Sequence, residues 1–464
     1  MNLKPLQLAS AISLALLAHG CGFQSYFPKP IKPAEVTARQ EAKTPDSQAF
    51  KDYLLAQNYP KGQLPIQQWG LNELSYSALF FHPDLNVARA QWRAAQSAQI
   101  TAAQRPELGL KASADNHKQH DNKSPWTYTL GIDVPIVTAG KRDAQIAQAA
   151  GLSEAARIEI AQSAWQVRSR LAKDWLEYQN AIAQASILAK EVALRTEIST
   201  MLQKRVDAGL ASNIELSTAR IALQKAEQSL NIEVGRAPTL IAALASDAGL
   251  PLNAFKPLNL TQGFDSEPMI KLDSLQYEAL LNRLDIRAAL ARYEAAEAKL
   301  RLEIAKQYPD FTLTPSKVLD QGDQIWSLGF SSMLTLINKN RGMIAEAGAL
   351  REVEIAQFEA LQANVIANLN QSKAAYQAAL EAQEKTKTVV VSQQKRVEQT
   401  KRQFDAGFAD RLELSNVQLE NLIAEQSSLN AAYKIQVAKL ALEDAVQRPL
   451  DSFNMPSNVE SKQP

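Results

Sequence analysis

The feature that most constrains this chain is an internal repeat. KRVDAGLASNIELS (Lys204 to Ser217) returns as RQFDAGFADRLELS (Arg402 to Ser415). The shift that lays Gly407 on Gly209 also lays Leu328 on Leu130, Gly329 on Gly131, Lys339 on Lys141, Val365 on Val167, Leu369 on Leu171 and Pro449 on Pro251, without a gap. Upstream the shift drifts by a few residues. There HPDLNVARAQWRAAQSA (82–98) matches RLDIRAALARYEAAEAK (283–299), and Pro106-Glu107-Leu108 matches Pro309-Asp310-Phe311. Such insertions belong in loops. The chain therefore reads as two copies of one structural unit, 82–252 and 283–450, joined by a linker at 253–282.

Each copy opens with an Ala-rich helix, about 83–105 and 283–307, that stops at Pro106 or Pro309. Two strand-like segments follow. In SPWTYTLGIDVPI the apolar Trp126, Tyr128, Leu130, Ile132 and Val134 alternate with Thr127, Thr129, Gly131 and Asp133. In the second copy Trp326, Leu328 and Phe330 alternate with Ser327, Gly329 and Ser331, with the same parity. Alternation with a period of two marks a strand with unlike faces. A solvated soluble sheet gives the same pattern. Strand length of about ten residues and aromatics at Trp126, Tyr128 and Trp326, where a membrane girdle lies, favour a membrane barrel. The loop SADNHKQHDNKS between the first two strands is polar throughout, as an extracellular loop should be.

A very long helix follows in each copy. Lys141 to Ala208 contains no proline and Lys339 to Ala406 contains none either, giving a reach of roughly 100 Å. One stripe runs through Ile158, Ala161, Trp165, Arg168, Ala172, Trp175 and Tyr178, the spacing of coiled-coil packing rather than of a globular core. The Asp-Ala-Gly turn then reverses the chain into a second helix, about 212–247 and 410–446. Gly209 and Gly407 suit the left-handed residue that ends a helix. Ser212 or Asn213, and Asp410, are the candidate caps. Gly235 and Pro238 interrupt the first returning helix, so a kink is expected there.

With 464 residues and a net charge of +1, nothing in composition points to nucleic acid or an acidic partner. The first 20 residues read as a signal peptide, with an apolar run from Leu6 to Ala18 too short to span a bilayer. The chain's one cysteine, Cys21, stands directly after it and is expected to be the lipidated first residue of the mature chain. Residues 21–70, with Pro28, Pro30, Pro33, Pro45, Pro60 and Pro65, are expected to form an extended strap, and 451–464 a disordered tail. His117 and His120 form an HxxH in the polar loop, which reads as a solvated loop. No nucleophile elbow, phosphate loop or zinc spacing occurs, so no enzyme, cofactor or metal site is expected.

Each copy supplies one β-hairpin, and a four-stranded sheet cannot close. Open edges are not tolerated in lipid, so the chain must oligomerise through its strands. At this point it resembles the TolC-like outer-membrane efflux proteins. The resemblance spans about 70–450 and rests on the duplicated order of elements, the Pro-Glu-Leu and Pro-Asp-Phe strand entries and the two Gly-centred turns. Thr138-Ala139-Gly140-Lys141-Arg142 looks most like the cation-efflux subgroup, although the second copy lacks that segment. The resemblance implies a mainly α fold with a small membrane β-barrel: a homotrimer whose β-barrel continues into an α-helical barrel in the periplasm. It also implies a passive exit duct served by an inner-membrane pump and a periplasmic adaptor. By position, Asp207, Gly209, Leu210, Asp405, Gly407 and Phe408 become the adaptor-facing tips. Glu215, Asp410 and Glu413 become candidates for an acidic gate, since threefold symmetry turns one carboxylate into a cation-favouring ring. The plain alternative is that these acids stabilise their own helix starts. Two other readings are a duct for type I protein secretion and a soluble periplasmic coiled-coil scaffold.

Overall fold

The computed structural model describes residues 24–118, 125–263, 270, 272, 275–333 and 338–450. The expected signal peptide, Cys21, His120 and the tail from 451 lie outside the described residues. Residues as far as Lys43 form one unit, and Thr44 onward a second. In the first unit, helix α1 (Pro33–Glu41) opens on a proline, whose fixed φ suits the first helical position, and buries no side chain.

The second unit holds both repeats. It begins with α2 (Gln48–Ala56) and α3 (Leu71–Phe81). Repeat one is α4 (Pro83–Ala102), β1 (Gly109–Asn116), β2 (Trp126–Ile136), α5 (Lys141–Asp207) and α6 (Asn213–Asp247). After α7 (Leu275–Asn282), repeat two is α8 (Leu284–Ala305), β3 (Phe311–Asp320), β4 (Asp323–Ser332), α9 (Arg341–Asp405) and α10 (Arg411–Val446). The long helices α5 and α9 have 67 and 65 residues, and each is about 100 Å long.

The two hairpin turns are built alike. Gly209 has φ +73° and Gly407 φ +81°, a conformation that costs a residue with a Cβ. Leu210 N–H then donates to the Arg205 carbonyl at 2.7 Å, and Phe408 N–H to the Gln403 carbonyl at 2.8 Å, closing each long helix with a Schellman bond. The returning helices start on caps. Ser212 Oγ accepts from Glu215 N–H while the Glu215 carboxylate accepts from Ser212 N–H, a reciprocal capping box. Asp410 Oδ1 accepts from Glu413 N–H at 2.8 Å. Helix α6 is assigned continuously through Gly235 and Pro238, and Leu240 and Leu244 beyond the proline are buried.

The repeat in sequence is also a repeat in packing. Val167, Leu171 and Leu244 are buried in one core, and their counterparts Val365, Leu369 and Leu442 in a second. The cores differ in what covers them. The second is capped by Leu275 and Ala279 of α7. The first takes Phe50, Leu54, Trp69, Phe80 and Phe81 from the segment ahead of the repeats, with the Phe50 ring 5.4 Å from Phe80 and 6.4 Å from Trp69. The expected extended strap of 21–70 is therefore not simply extended over its described residues, 24–70. Pro33 starts a helix, and Pro45, Pro60 and Pro65 fall between helices, where they interrupt nothing. Phe50 is fully buried, which contributes about 2–3 kcal/mol.

The four strands form one antiparallel sheet in the order β1-β2-β3-β4. The central pair β2–β3 joins the repeats, with Gly131 opposite Ser316 and Val134 opposite Leu313. A Cβ on Gly131 would come within 2.8 Å of that of Ser316, so the two strands close only because this residue is glycine.

Candidate functional site: the sheet faces, the junction and the helical tip

Register puts unlike chemistry on the two sides of the sheet. Leu110 pairs with Ile132, Ala112 with Leu130 and Ala114 with Tyr128. Leu313 pairs with Phe330 and Pro315 with Leu328. These share one face, and Leu110, Leu130, Ile132, Leu328 and Phe330 are all exposed. The opposite face carries Thr127, Thr129, Asp133, Thr314, Ser316 and Ser327. There Thr314 Oγ1 donates to Asp133 Oδ1 at 2.6 Å, and the Ser316 and Ser327 hydroxyls lie 3.0 Å apart. A sheet apolar outside and hydroxyl-lined inside is the pattern of a barrel wall between lipid and water. No helix among the described residues is long and apolar enough to cross a membrane.

Trp126, Tyr128 and Trp326 all lie on the apolar face near the β1–β2 loop and the β3–β4 turn. Trp126 and Tyr128 stack at 6.1 Å, and Trp326 is 79% exposed with the Lys317 ammonium 5.5 Å from its ring. A second aromatic pair stands at the other end of the same face, Phe311 and Phe330 at 5.5 Å. The alternation contains both phenylalanines, but only the register shows that they meet.

Where sheet becomes helix, the sequence motifs turn out to hold each other. Lys141 Nζ, buried, donates to the Tyr308 carbonyl at 2.6 Å and to Asp310 Oδ1 at 2.7 Å. Thr138 N–H donates to the same carboxylate at 2.8 Å. The Thr-Ala-Gly-Lys-Arg segment of repeat one thus clamps the Pro-Asp-Phe entry of repeat two. Its residues Thr138 and Lys141 have a structural task at this junction.

Along the helices, α5 packs on α10, forming a polar seam between the repeats. Arg168 is fully buried and donates to Glu443 at 3.1 Å. Trp165 Nε1 and Ser169 Oγ donate to Asp444 at 3.1 and 2.8 Å. Burial pushes the Asp444 carboxyl above its ordinary range against those two donors. The sequence stripe contained Arg168 as its one charged member, the signal that a buried ion pair sat there.

At the tip, Arg205 on α5 pairs with Asp410 at 2.8 Å, and Glu197 with Arg411 at 2.6 Å. Arg205 and the amide of Glu413 hold the Asp410 carboxyl below the usual range. Asp410 and Glu215 are thus occupied as helix caps, and Asp410 also as an ion-pair partner. Glu413 is exposed, and its backbone N–H donates to the Asp410 cap. Leu210 and Phe408 stand out of the turns, 78% and 86% exposed, while Asp207 accepts from Gln203 at 2.7 Å. His117 Nε2 lies 2.9 Å from Thr127 Oγ1. Among the described residues no group of His, Cys, Asp or Glu could hold a metal ion.

Comparison with known proteins agrees with this geometry. The family profile described as "Outer membrane efflux protein" matches residues 74–235 and 275–446, the two repeats. The cobalt-zinc-cadmium resistance protein CzcC of Cupriavidus metallidurans is 24% identical over 242 residues, 52% of this chain. That match spans 57% of CzcC, little more than half its length. Among solved structures, the outer membrane protein VceC from Vibrio cholerae superimposes with a TM-score of 0.67 at 22% identity, covering 82% of this chain and 97% of VceC. The Campylobacter jejuni CmeC outer membrane channel gives 0.67 at 16% identity, over 84% of this chain and 87% of its own.

Proposed function

The chain belongs to the outer membrane efflux protein family, and from that premise we propose that it is the exit duct of a tripartite efflux system. Three copies close one barrel in the outer membrane, and their helical hairpins continue it as a tube into the periplasm. Substrate moves passively, delivered by an inner-membrane pump through a periplasmic adaptor, with no catalytic step in this chain. The observation that carries the reading is the sheet. It is apolar on one face and hydroxyl-lined on the other, it is open along β1 and β4, and it is mounted on hairpins about 100 Å long.

Cys21 supplies a lipid anchor in this reading. The exposed Leu210 and Phe408, with the turns Asp207–Gly209 and Asp405–Gly407, meet the adaptor. Glu413 is the gate carboxylate, because Asp410 and Glu215 are already engaged at their own helix starts. Divalent metal cations are the cargo, supported by the likeness to CzcC and by an acidic ring that favours cations.

In detergent the protein should run as a trimer and open cation-preferring pores in planar bilayers. Glu413→Ala should keep the trimer and weaken the cation preference. Disrupting the gene should sensitise cells to cobalt, zinc or cadmium. A detergent-free monomer without pores would refute the duct. Unchanged currents in the Glu413 variant would refute only the gate.

A further inference from the structure

Charge is distributed over the sheet by a rule that one residue breaks. Of the charged residues in the four strands, Lys111, Asp115, Asp133, Asp320 and Asp323 all fall by register on the hydroxyl face. Lys317 falls on the apolar face. It stands in one row with Leu130 of β2 and Trp326 of β4. The shift that matches Pro309 to Pro106 puts Ala114 at its place in repeat one, so this charge belongs to the second hairpin alone.

Lipid does not accept such a charge at every depth. A lysine on the lipid side of a barrel is costly at the midplane and tolerated near an interface. There its ammonium reaches the headgroups while its stem lies along apolar surface. Lys317 is placed for that. It lies three residues before Asp320, the end of β3, and so roughly 10 Å along the strand from the β3–β4 turn. The turn is at the end of the sheet away from the long helices, the end that also carries Trp126, Tyr128 and Trp326.

The ammonium is held in position without a counter-ion. The Trp326 ring, itself well exposed, lies 5.5 Å from Nζ in a cation–π contact. Among the described residues no carboxylate pairs with Lys317. Asp320, three residues on, is on the opposite face and accepts from Thr127 Oγ1. Toward the helical end, the same face continues as Leu328 and Phe330, both exposed and apolar.

We propose that Lys317 and Trp326 form a headgroup site for the phosphorylated glycolipid of the outer leaflet. The ammonium takes a lipid A phosphate as a point charge. The exposed indole lies against a glucosamine ring, and the acyl chains run down over Leu328 and Phe330. Depth selects this lipid over the glycerophospholipids of the inner leaflet, because the cation stands at the turn end and they lie at the helical end. The site rests on the exit-duct reading, which sets the end of the sheet that faces outward.

The full-length protein in detergent, titrated with bis-phosphorylated lipid A and followed by native mass spectrometry, should carry up to three lipids per trimer. Lys317→Gln should weaken binding by about tenfold or more, as the loss of one charge-assisted hydrogen bond does. Lys317→Arg should retain it, and Trp326→Leu should weaken it by a smaller factor. Lipid A stripped of its phosphates should bind the unsubstituted protein as weakly as intact lipid A binds the Gln variant. Unchanged affinity in Lys317→Gln overturns the site. Phosphatidylglycerol binding as tightly as lipid A overturns the choice of glycolipid. The Gln variant should keep its trimer and its pores; losing the trimer would show that Lys317 serves assembly instead, which also overturns the site. Failure of the exit-duct reading looks different. In that case the unsubstituted protein forms neither trimers nor pores, whereas failure of the lipid site leaves both intact.

Discussion

Replacing Arg168 by Ile tests whether the seam within the chain is held by a buried ion pair. The guanidinium is fully buried, and its partner Glu443 is 3% exposed at 3.1 Å. Removing one member of such a pair leaves the other charge buried, at a cost of about 3–5 kcal/mol. Glu443 keeps the Leu450 N–H at 3.0 Å and the Lys439 ammonium at 3.9 Å, which places Arg168→Ile near the lower end, about 3 kcal/mol. Glu443→Ala should cost about as much, because the buried guanidinium then loses its carboxylate at 3.1 Å. The double variant removes both charges of the pair and leaves the Leu450 amide and the more distant Lys439 ammonium without Glu443, a loss of about 1–2 kcal/mol. The coupling between the sites should therefore exceed about 2 kcal/mol. The Trp165 ring, 5.5 Å from the guanidinium, reports locally during a urea titration in detergent, and far-UV circular dichroism reports on the helices. A cost below about 1 kcal/mol for Arg168→Ile, or a double variant as unstable as the two singles added, would refute the reasoning.

Two further outcomes follow from groups already described. Burial and the neighbouring Asp174 raise the Asp247 carboxyl from its ordinary 3.8 to about 6, against the pull of Arg170. The folded state thus holds a proton that the unfolded state releases, so stability falls as pH rises between about 4 and about 6. Asp247→Asn should remove that slope and stabilise the protein at pH 7, as thermal unfolding at stepped pH would show; an unchanged slope would refute it. Gly407→Ala forces a Cβ into φ +81° and should cost about 1–2 kcal/mol, confined to the turn. Hydrogen exchange should then rise at the amides of 403–410 and stay unchanged in the core around Leu369.

Much of the architecture was legible because the chain states it twice. One shift matched Val167 to Val365 and Leu171 to Leu369, and both pairs sit at the same depth in separate cores. Strand parity survived in the sheet because a one-residue slip would invert both faces. The turns were legible because glycine at a left-handed position and a capping residue three or four places later are local chemistry. What escaped was non-local. Nothing near Phe50 says that it will pack under Trp69 and Phe80, since that contact depends on where α2 lies against a helix more than a hundred residues away. Proline spacing suggested an extended segment there, because prolines mark breaks and do not describe what lies between them. At the tip, sequence left Asp410 and Glu215 open between gate and helix-start roles, and the hydrogen bonds show both carboxylates engaged at their helix starts.

The repeat shift that carries Val167 to Val365 carries Arg168 to Ile366 and Glu443 back to Ala245, so the buried ion pair is not repeated, which bears on how such a chain can change over time. In a ring of six separate half-length copies every joint would be the same, so a charge placed at one joint would be placed at all six. Joining two copies end to end makes two kinds of joint out of one. A residue such as Arg168 can then appear on one kind without its twin appearing on the other. Duplication within one chain thus permits alternate joints to differ, a freedom that strict sixfold symmetry forbids.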